Sequence, residues 1–94
     1  MSYVVYKYPV APWKTNGKIR IQVPLGSEFL DFKAQGEHFF VWYLVPCRQE
    51  LVNYCYQMLM TGEEIKGYPG HYMGTAENSR GIVAHLFGIA CEEA

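Results

Sequence analysis

Alternating hydrophobic and polar residues are clearest in residues 18–23. The apolar positions are Ile19, Ile21 and Val23, and the polar positions are Lys18, Arg20 and Gln22. Successive side chains of a β-strand point to opposite faces, so this pattern predicts a strand with one face on a core and the other in water.

Residues 37–46 form the most hydrophobic stretch, and alternation gives it two apolar faces. One face carries His38, Phe40, Trp42 and Leu44, and the second carries Phe39, Val41, Tyr43 and Val45. A strand that is apolar on both faces is either covered on both sides or lies in a subunit interface. Because the other predicted strands are short, we expect the second face to form a subunit or partner interface and the chain to be a homo-oligomer.

Further strands are predicted over residues 3–10, 28–35, 51–60, 72–76 and 82–87. In residues 28–35, the inward positions are predicted to be Leu30, Phe32 and Ala34. Residues 51–60 also fit a helix, but their Tyr and Val residues disfavour one, and alternate positions separate by polarity. Six or seven short strands predict a mostly β fold, a small antiparallel barrel or sandwich. We expect a single domain over residues 1–94, with an ordered core of about residues 3–88.

Composition narrows the classes of function. Of the 94 residues, 50% are hydrophobic and 18% are charged, which is typical of a globular protein. The net charge of −1 and the lack of a basic block argue against non-specific nucleic-acid binding. Eight tyrosines suit an interface or a stacking surface, or serve as core filler. No secretory leader or membrane-spanning segment is expected.

The sequence contains no recognisable catalytic or metal-binding motif. Its three cysteines, Cys47, Cys55 and Cys91, form no CxxC pair and are odd in number, which predicts free thiols in a reducing cytosol. Cys47 lies beside the basic Arg48, as a reactive thiol can, but an unreactive thiol is the favoured interpretation. The histidines, His38, His71 and His85, lack carboxylates at ligand spacing, so structural roles are favoured. We therefore expect no enzyme activity, cofactor or metal.

The glycine-rich segment 61–71 is the longest predicted loop, and a loop of this length in a small domain is often functional. Its amides and a lysine can meet a phosphate, and tyrosines can stack on a base. The candidate ligand-binding residues are Trp13, Lys14, Arg48, Lys66, Tyr68, His71 and Tyr72. An ordinary surface loop is the favoured interpretation of this segment, and a nucleotide site is the alternative.

Several short motifs occur in a characteristic order along the chain. They are Tyr6–Pro9 (Tyr-Lys-Tyr-Pro), Ile21–Gly26 (Ile-x-Val-Pro-x-Gly), Trp42–Val45, Thr61-Gly62, Tyr72–Thr75 (Tyr-x-Gly-Thr) and Val83–Phe87 (Val-x-His-Leu-Phe). Over residues 6–87 the chain resembles a family of small phage and prophage proteins of unknown function, which have a Tyr-Ile-Gly-Thr signature and a His-Val-Phe end. The resemblance implies a phage origin and a compact, mostly β fold, and it supplies no catalytic residues.

Three functional hypotheses follow from the resemblance and the lack of catalytic motifs. The first is a non-catalytic phage protein that inhibits or sequesters a host factor in the host cytoplasm, as in counter-defence. The second is a sponge for a nucleotide immune signal, and the third is a minor phage structural or assembly protein. The expected partner is a host protein or a small nucleotide.

Overall fold

The computed structural model describes residues 1–11 and 17–91, and its regular structure there consists entirely of strands. The seven strands are β1 (Tyr3–Val10), β2 (Lys18–Pro24), β3 (Glu28–Gln35), β4 (His38–Pro46), β5 (Leu51–Met60), β6 (His71–Glu77) and β7 (Val83–Ile89). They confirm the mostly β fold, including a strand rather than a helix at β5. In the described part of the chain, no helix could cross a membrane.

The strands form two antiparallel sheets that pack as a small sandwich. A three-stranded sheet has the order β1-β4-β3, and a four-stranded sheet has the order β2-β5-β7-β6. Of the two architectures predicted from strand number, the sandwich is therefore the observed one, and the sheets do not close into a barrel. Each sheet keeps an inner face for the core and an outer face toward solvent.

The core contains the inner face of β4, which corrects the interface predicted there. Phe39, Val41, Tyr43 and Val45 have relative exposures of 0%, 0%, 0% and 2%. They pack against inner residues of the facing sheet, such as Tyr56 and Met58 of β5 and Leu86 of β7. A partner could not contact these four side chains without separating the sheets. The outer face of β4 is only half-buried.

A β-bulge in β3 corrects a second prediction. The pairing with β4 shifts between Phe29 and Asp31, so the intervening Leu30 has no direct partner. A bulge inserts one extra residue and thereby changes which side chains face inward. Phe29 consequently packs against the core, whereas Leu30 is 46% exposed.

The buried Asn78 side chain links a turn of each sheet. Its Oδ1 accepts hydrogen bonds from the backbone N–H groups of Arg80 and Ile82, both at 3.0 Å, which shapes the turn between β6 and β7. Its Nδ2 donates at 3.0 Å to the carbonyl of Glu37, in the turn between β3 and β4. One amide therefore holds together the two turns at this end of the sandwich.

The cysteines differ from the prediction of three free thiols. Cys55 of β5 and Cys91, which follows β7, form a disulfide, and Cys47 is free. Residue 55 pairs with residue 89 across the sheet, so the chain just beyond β7 comes back to Cys55. The pairing depends on this strand register, and cysteine spacing alone does not reveal it.

Candidate functional site

A line of side-chain hydrogen bonds crosses the outer face of the four-stranded sheet. The hydroxyl of Tyr72 lies 2.5 Å from Oγ1 of Thr75, which lies 2.9 Å from Nδ1 of His85. Nε2 of the same imidazole lies 2.7 Å from Oγ1 of Thr61. We call these four residues the hydroxyl–histidine network.

Strand register brings the network together. Thr75 of β6 is paired directly with His85 of β7, and directly paired residues of antiparallel strands place their side chains on the same face. Thr61 follows β5 immediately, and its backbone N–H donates at 3.3 Å to the carbonyl of Val83 in β7. This bond holds the Thr61 hydroxyl beside the imidazole.

The network retains hydrogen-bonding capacity for a ligand. A neutral imidazole carries one N–H, and each hydroxyl carries one proton and two lone pairs. The three bonds use three of these four protons, so one donor and several lone pairs remain. Tyr72 is 54% exposed and Thr61 is also exposed, so a ligand in solvent can reach these groups.

The contacts of His85 match only part of a catalytic triad. A threonine hydroxyl beside an imidazole has the geometry of a nucleophile and its base. In a catalytic triad, however, a carboxylate orients the second ring nitrogen and stabilises the imidazolium. Here the second nitrogen of His85 contacts the hydroxyl of Thr61 instead. Within the described residues there is also no cluster of three or more His, Cys, Asp or Glu side chains that could hold a metal ion.

Aromatic and basic residues flank the network on the same outer face. The rings of Tyr72 and Phe87 meet edge to face, with centroids 5.7 Å apart. Pairing aligns Phe87 with Gln57 of β5, and Gln57 with Lys18 of the edge strand β2. Neighbouring strands lie about 4.8 Å apart, so the Cα atoms of Lys18 and Phe87 are separated by roughly 10 Å. Arg20, also on β2, is exposed and lies two residues from Lys18.

The loop between β5 and β6 borders this face and carries two of the seven predicted ligand-binding residues, and two more begin β6. Lys66 is exposed, Tyr68 is 87% exposed, and Tyr72 belongs to the network. His71, the first residue of β6, instead lines a groove at the inner side of the sheet.

Arg48 lies apart from the other predicted ligand residues. It occupies the turn before β5, with a left-handed φ of 61°. From the start of β5 at Leu51 to Gln57 the strand rises by about 20 Å, which separates Arg48 from the network. Trp13 and Lys14 lie outside the described residues.

The groove near His71 is a concave feature separate from the outer face, with a volume of about 460 Å³. Its lining residues are Phe29, Asn53, Tyr54, Cys55, Tyr56, His71, Met73, Gly88, Ile89 and Cys91. Burial raises the pKa of Tyr56 to about 12, so this phenol stays neutral at ordinary pH. Outside the groove, burial in the core also raises the pKa of Tyr8, and the nearby Tyr6 adds a smaller electrostatic contribution. The surface of the groove is mainly apolar.

Sequence patterns missed most of the residues on this outer face. Alternation in β2 correctly predicted that Lys18 and Arg20 point to solvent, but it gave no reason to join them to Phe87. Likewise, a structural role was favoured for His85, and its threonine partners lie 24 and 10 residues away. Only the register of β5, β6 and β7 places these side chains together.

Comparison with known proteins identifies a family and nothing further. The family model of a domain of unknown function, DUF7352, matches residues 1–94, the whole chain. No curated protein and no solved structure matches.

Proposed function

Since the chain belongs to the DUF7352 family of unknown function, we propose a role from its surface: it is a non-catalytic binding protein that sequesters a host factor. One observation carries the proposal. Hydrogen-bonding groups of the hydroxyl–histidine network, the rings of Tyr72 and Phe87, and the basic strand β2 share one outer sheet face.

A nucleotide is the ligand that this combination of groups fits best. A base can stack on the partly exposed ring of Phe87 and present its edge to the hydroxyls of Tyr72 and Thr75, because aromatic rings on the outer face of a sheet suit base stacking. The spacing of roughly 10 Å to β2 then allows the phosphate to reach Lys18 and Arg20. A small nucleotide needs only a few such contacts, which agrees with a chain of net charge −1.

The biological setting of the proposal rests on sequence resemblance. The resemblance to small phage and prophage proteins supports a phage-encoded protein that counters host defence by removing a nucleotide immune signal. The prediction of a reducing cytosol was based on three free thiols. The Cys55–Cys91 disulfide no longer supports it, because disulfides persist mainly in oxidising compartments. Action in the host cytoplasm therefore rests on the resemblance alone.

Calorimetry against cyclic dinucleotides, cyclic trinucleotides and ADP-ribose derivatives tests the proposal. We expect saturable heat from at least one of them and no turnover of the bound nucleotide. Absence of heat throughout the panel would reject the nucleotide and favour inhibition of a host protein. Turnover by the purified chain would show that the protein is an enzyme.

Two substitutions and one control locate the binding face. Phe87→Ala should weaken binding by about 1–3 kcal/mol, the usual contribution of one stacked base. Arg20→Ala should weaken it mainly at low salt, since an exposed charge is screened by ions. Arg48→Ala removes an arginine from the distant turn and should leave affinity unchanged. Equal losses in all three variants would place the ligand elsewhere.

A further inference from the structure

The outer face of the three-stranded sheet, which we call the tryptophan face, carries an apolar surface. Phe40, Trp42 and Leu44 line its centre on β4, and all three are partly exposed. Around them, Tyr3 is 54% exposed, Val5 is 56% exposed and Leu30 is 46% exposed. Contiguous apolar patches of this kind on a small domain mark an interaction surface.

Within the chain, this apolar surface is covered only in part. The ammonium group of Lys7 lies 4.5 Å from the ring centroid of Phe40 and donates a hydrogen bond to Gln35. The rings of Phe40 and Trp42 contact each other edge to face, at a centroid distance of 5.9 Å. Trp42 also lines a shallow concavity of about 430 Å³ beside β3.

Two charged positions of opposite sign lie on either side of Trp42, an arrangement that suits a partner with the same pattern. On β3, Glu28 is paired with Leu44, and Lys33 is paired with Phe40. Trp42 lies between these pairs on β4, so the acidic and basic positions lie on opposite sides of it. Asp31 lies at the level of Trp42 and forms an ion pair with Lys33 at 3.2 Å.

We propose that the tryptophan face binds a second copy of the same chain through a two-fold axis that passes near Trp42. The axis lies in the interface and perpendicular to the strands. It reverses the strand direction, so Lys33 of one copy faces Glu28 of the other, and this contact occurs twice. The same rotation places Phe40 opposite Leu44 and Trp42 opposite Trp42. Asp31 and Lys7, which pair with Trp42 from either side, then face their own counterparts. Each Asp31 keeps its ion pair with Lys33, and each Lys7 keeps its contacts with Phe40 and Gln35 of its own copy. A two-fold interface requires such self-complementarity, in which each contact is repeated with the copies exchanged.

The size of the face predicts a weak, reversible dimer. Three strands of about nine residues span roughly 15 by 30 Å, a projected area of about 450 Å² per copy. Stable complexes bury about 800 Å² per partner, so this interface belongs to the small class. The dimer is independent of the proposed function, since it leaves both copies of the nucleotide face in solvent.

Sedimentation velocity over a concentration series tests the dimer. The wild-type chain should shift from monomer to dimer, and Trp42→Glu should remain monomeric while retaining its fold by circular dichroism. Tyr68→Glu makes the same kind of change on a loop side chain that is 87% exposed, and it should still dimerise. A wild-type chain that stays monomeric up to about 1 mM, the limit of meaningful affinity, overturns the proposal.

Charge reversal tests the proposed pairing itself. Lys33→Glu places like charges at both contacts with Glu28, and Glu28→Lys does so with Lys33, so each variant alone should dimerise at least about tenfold more weakly. An equimolar mixture of the two should recover dimers, because every contact in the mixed pair joins opposite charges. A folding defect could not produce this recovery. Dimerisation of both single variants with wild-type affinity, or no recovery in the mixture, would reject this arrangement.

Discussion

Gly70 packs so closely on Gly88 that a side chain at position 70 would collide with the carbonyl oxygen of Gly88. Gly70 also has a φ of +121°, a conformation that other residues rarely adopt. The two glycines thus bring the end of the β5–β6 loop directly against β7. This contact sets where β6 begins and hence where Tyr72 lies on the outer face.

Gly70→Ala should therefore destabilise the fold by more than about 2 kcal/mol, because steric collision adds to backbone strain. Gly67→Ala is the matched control, since Gly67 also has a positive φ, +81°, but has open space around its Cα. It should cost only about 1 kcal/mol, the strain contribution alone. Urea denaturation measures both values, and similar losses would show that the contact with Gly88 is unimportant.

Tyr43 carries a buried hydroxyl without a hydrogen-bond partner among the described residues. Its ring contacts the rings of Tyr8, Phe29 and Tyr54 edge to face. Tyr43→Phe should keep these contacts and remove the unsatisfied group, raising the free energy of unfolding by up to about 1 kcal/mol. Tyr54→Phe is the control, because its hydroxyl donates to the carbonyl of Ser27 at 3.1 Å. It should lower stability, and a clear loss in both variants would indicate a water-bridged Tyr43 hydroxyl.

The Cys55–Cys91 disulfide closes a loop with a sequence separation of 36 residues. Chain entropy predicts that such a crosslink stabilises the fold by about 4 kcal/mol. Replacing both cysteines with serine should lower the free energy of unfolding toward that extent, whereas Cys47→Ser should have little effect. Alkylation of the unfolded, unreduced chain should label one thiol, and labelling of three would show that the bond is absent.

Alkaline pH should weaken the fold through Tyr56. Burial raises its pKa from 10.0 to about 12, so the unfolded chain loses this proton first. The stabilisation is complete below pH 10 and is lost progressively as the pH rises toward 12. Urea unfolding over this range should show a falling free energy, with a shallower slope in Tyr56→Phe. The slope that remains in Tyr56→Phe includes the contribution of Tyr8, whose pKa is also raised. If the variant and the wild-type chain have the same slope, Tyr56 does not contribute.

The strands were predictable because local side-chain order determines them. Residues 3–10, 28–35 and 51–60 were predicted with the observed bounds, since alternation and turn residues mark each one. Alternation does not tell which of two apolar faces of a strand is buried, and the core face of β4 was therefore mistaken for an interface. The bulge likewise exchanged the faces of Phe29 and Leu30, whereas Phe32 and Ala34 face inward as predicted.

The candidate site was predictable only where a single segment supplied it. Tyr72 was recognised because it ends the glycine-rich loop, and it does lie on the proposed binding face. Thr61, Thr75 and His85 come from three segments, and their approach depends on pairing between strands. The composition of a single sequence and the spacing of its residues do not show which strands pair or in which register.

Because Asn78 bonds to turns of both sheets, one end of the sandwich should resist local opening more strongly than the other end. The bond from Asn78 to the carbonyl of Glu37, together with the 2.8 Å bond from the Ser79 amide to the carbonyl of Gly36, ties the sheets at one end. Local opening should therefore start away from this end, because separating the sheets there breaks both bonds at once. In native-state hydrogen exchange, the Ser79 and Ile82 amides should be protected more strongly than their positions in a turn suggest.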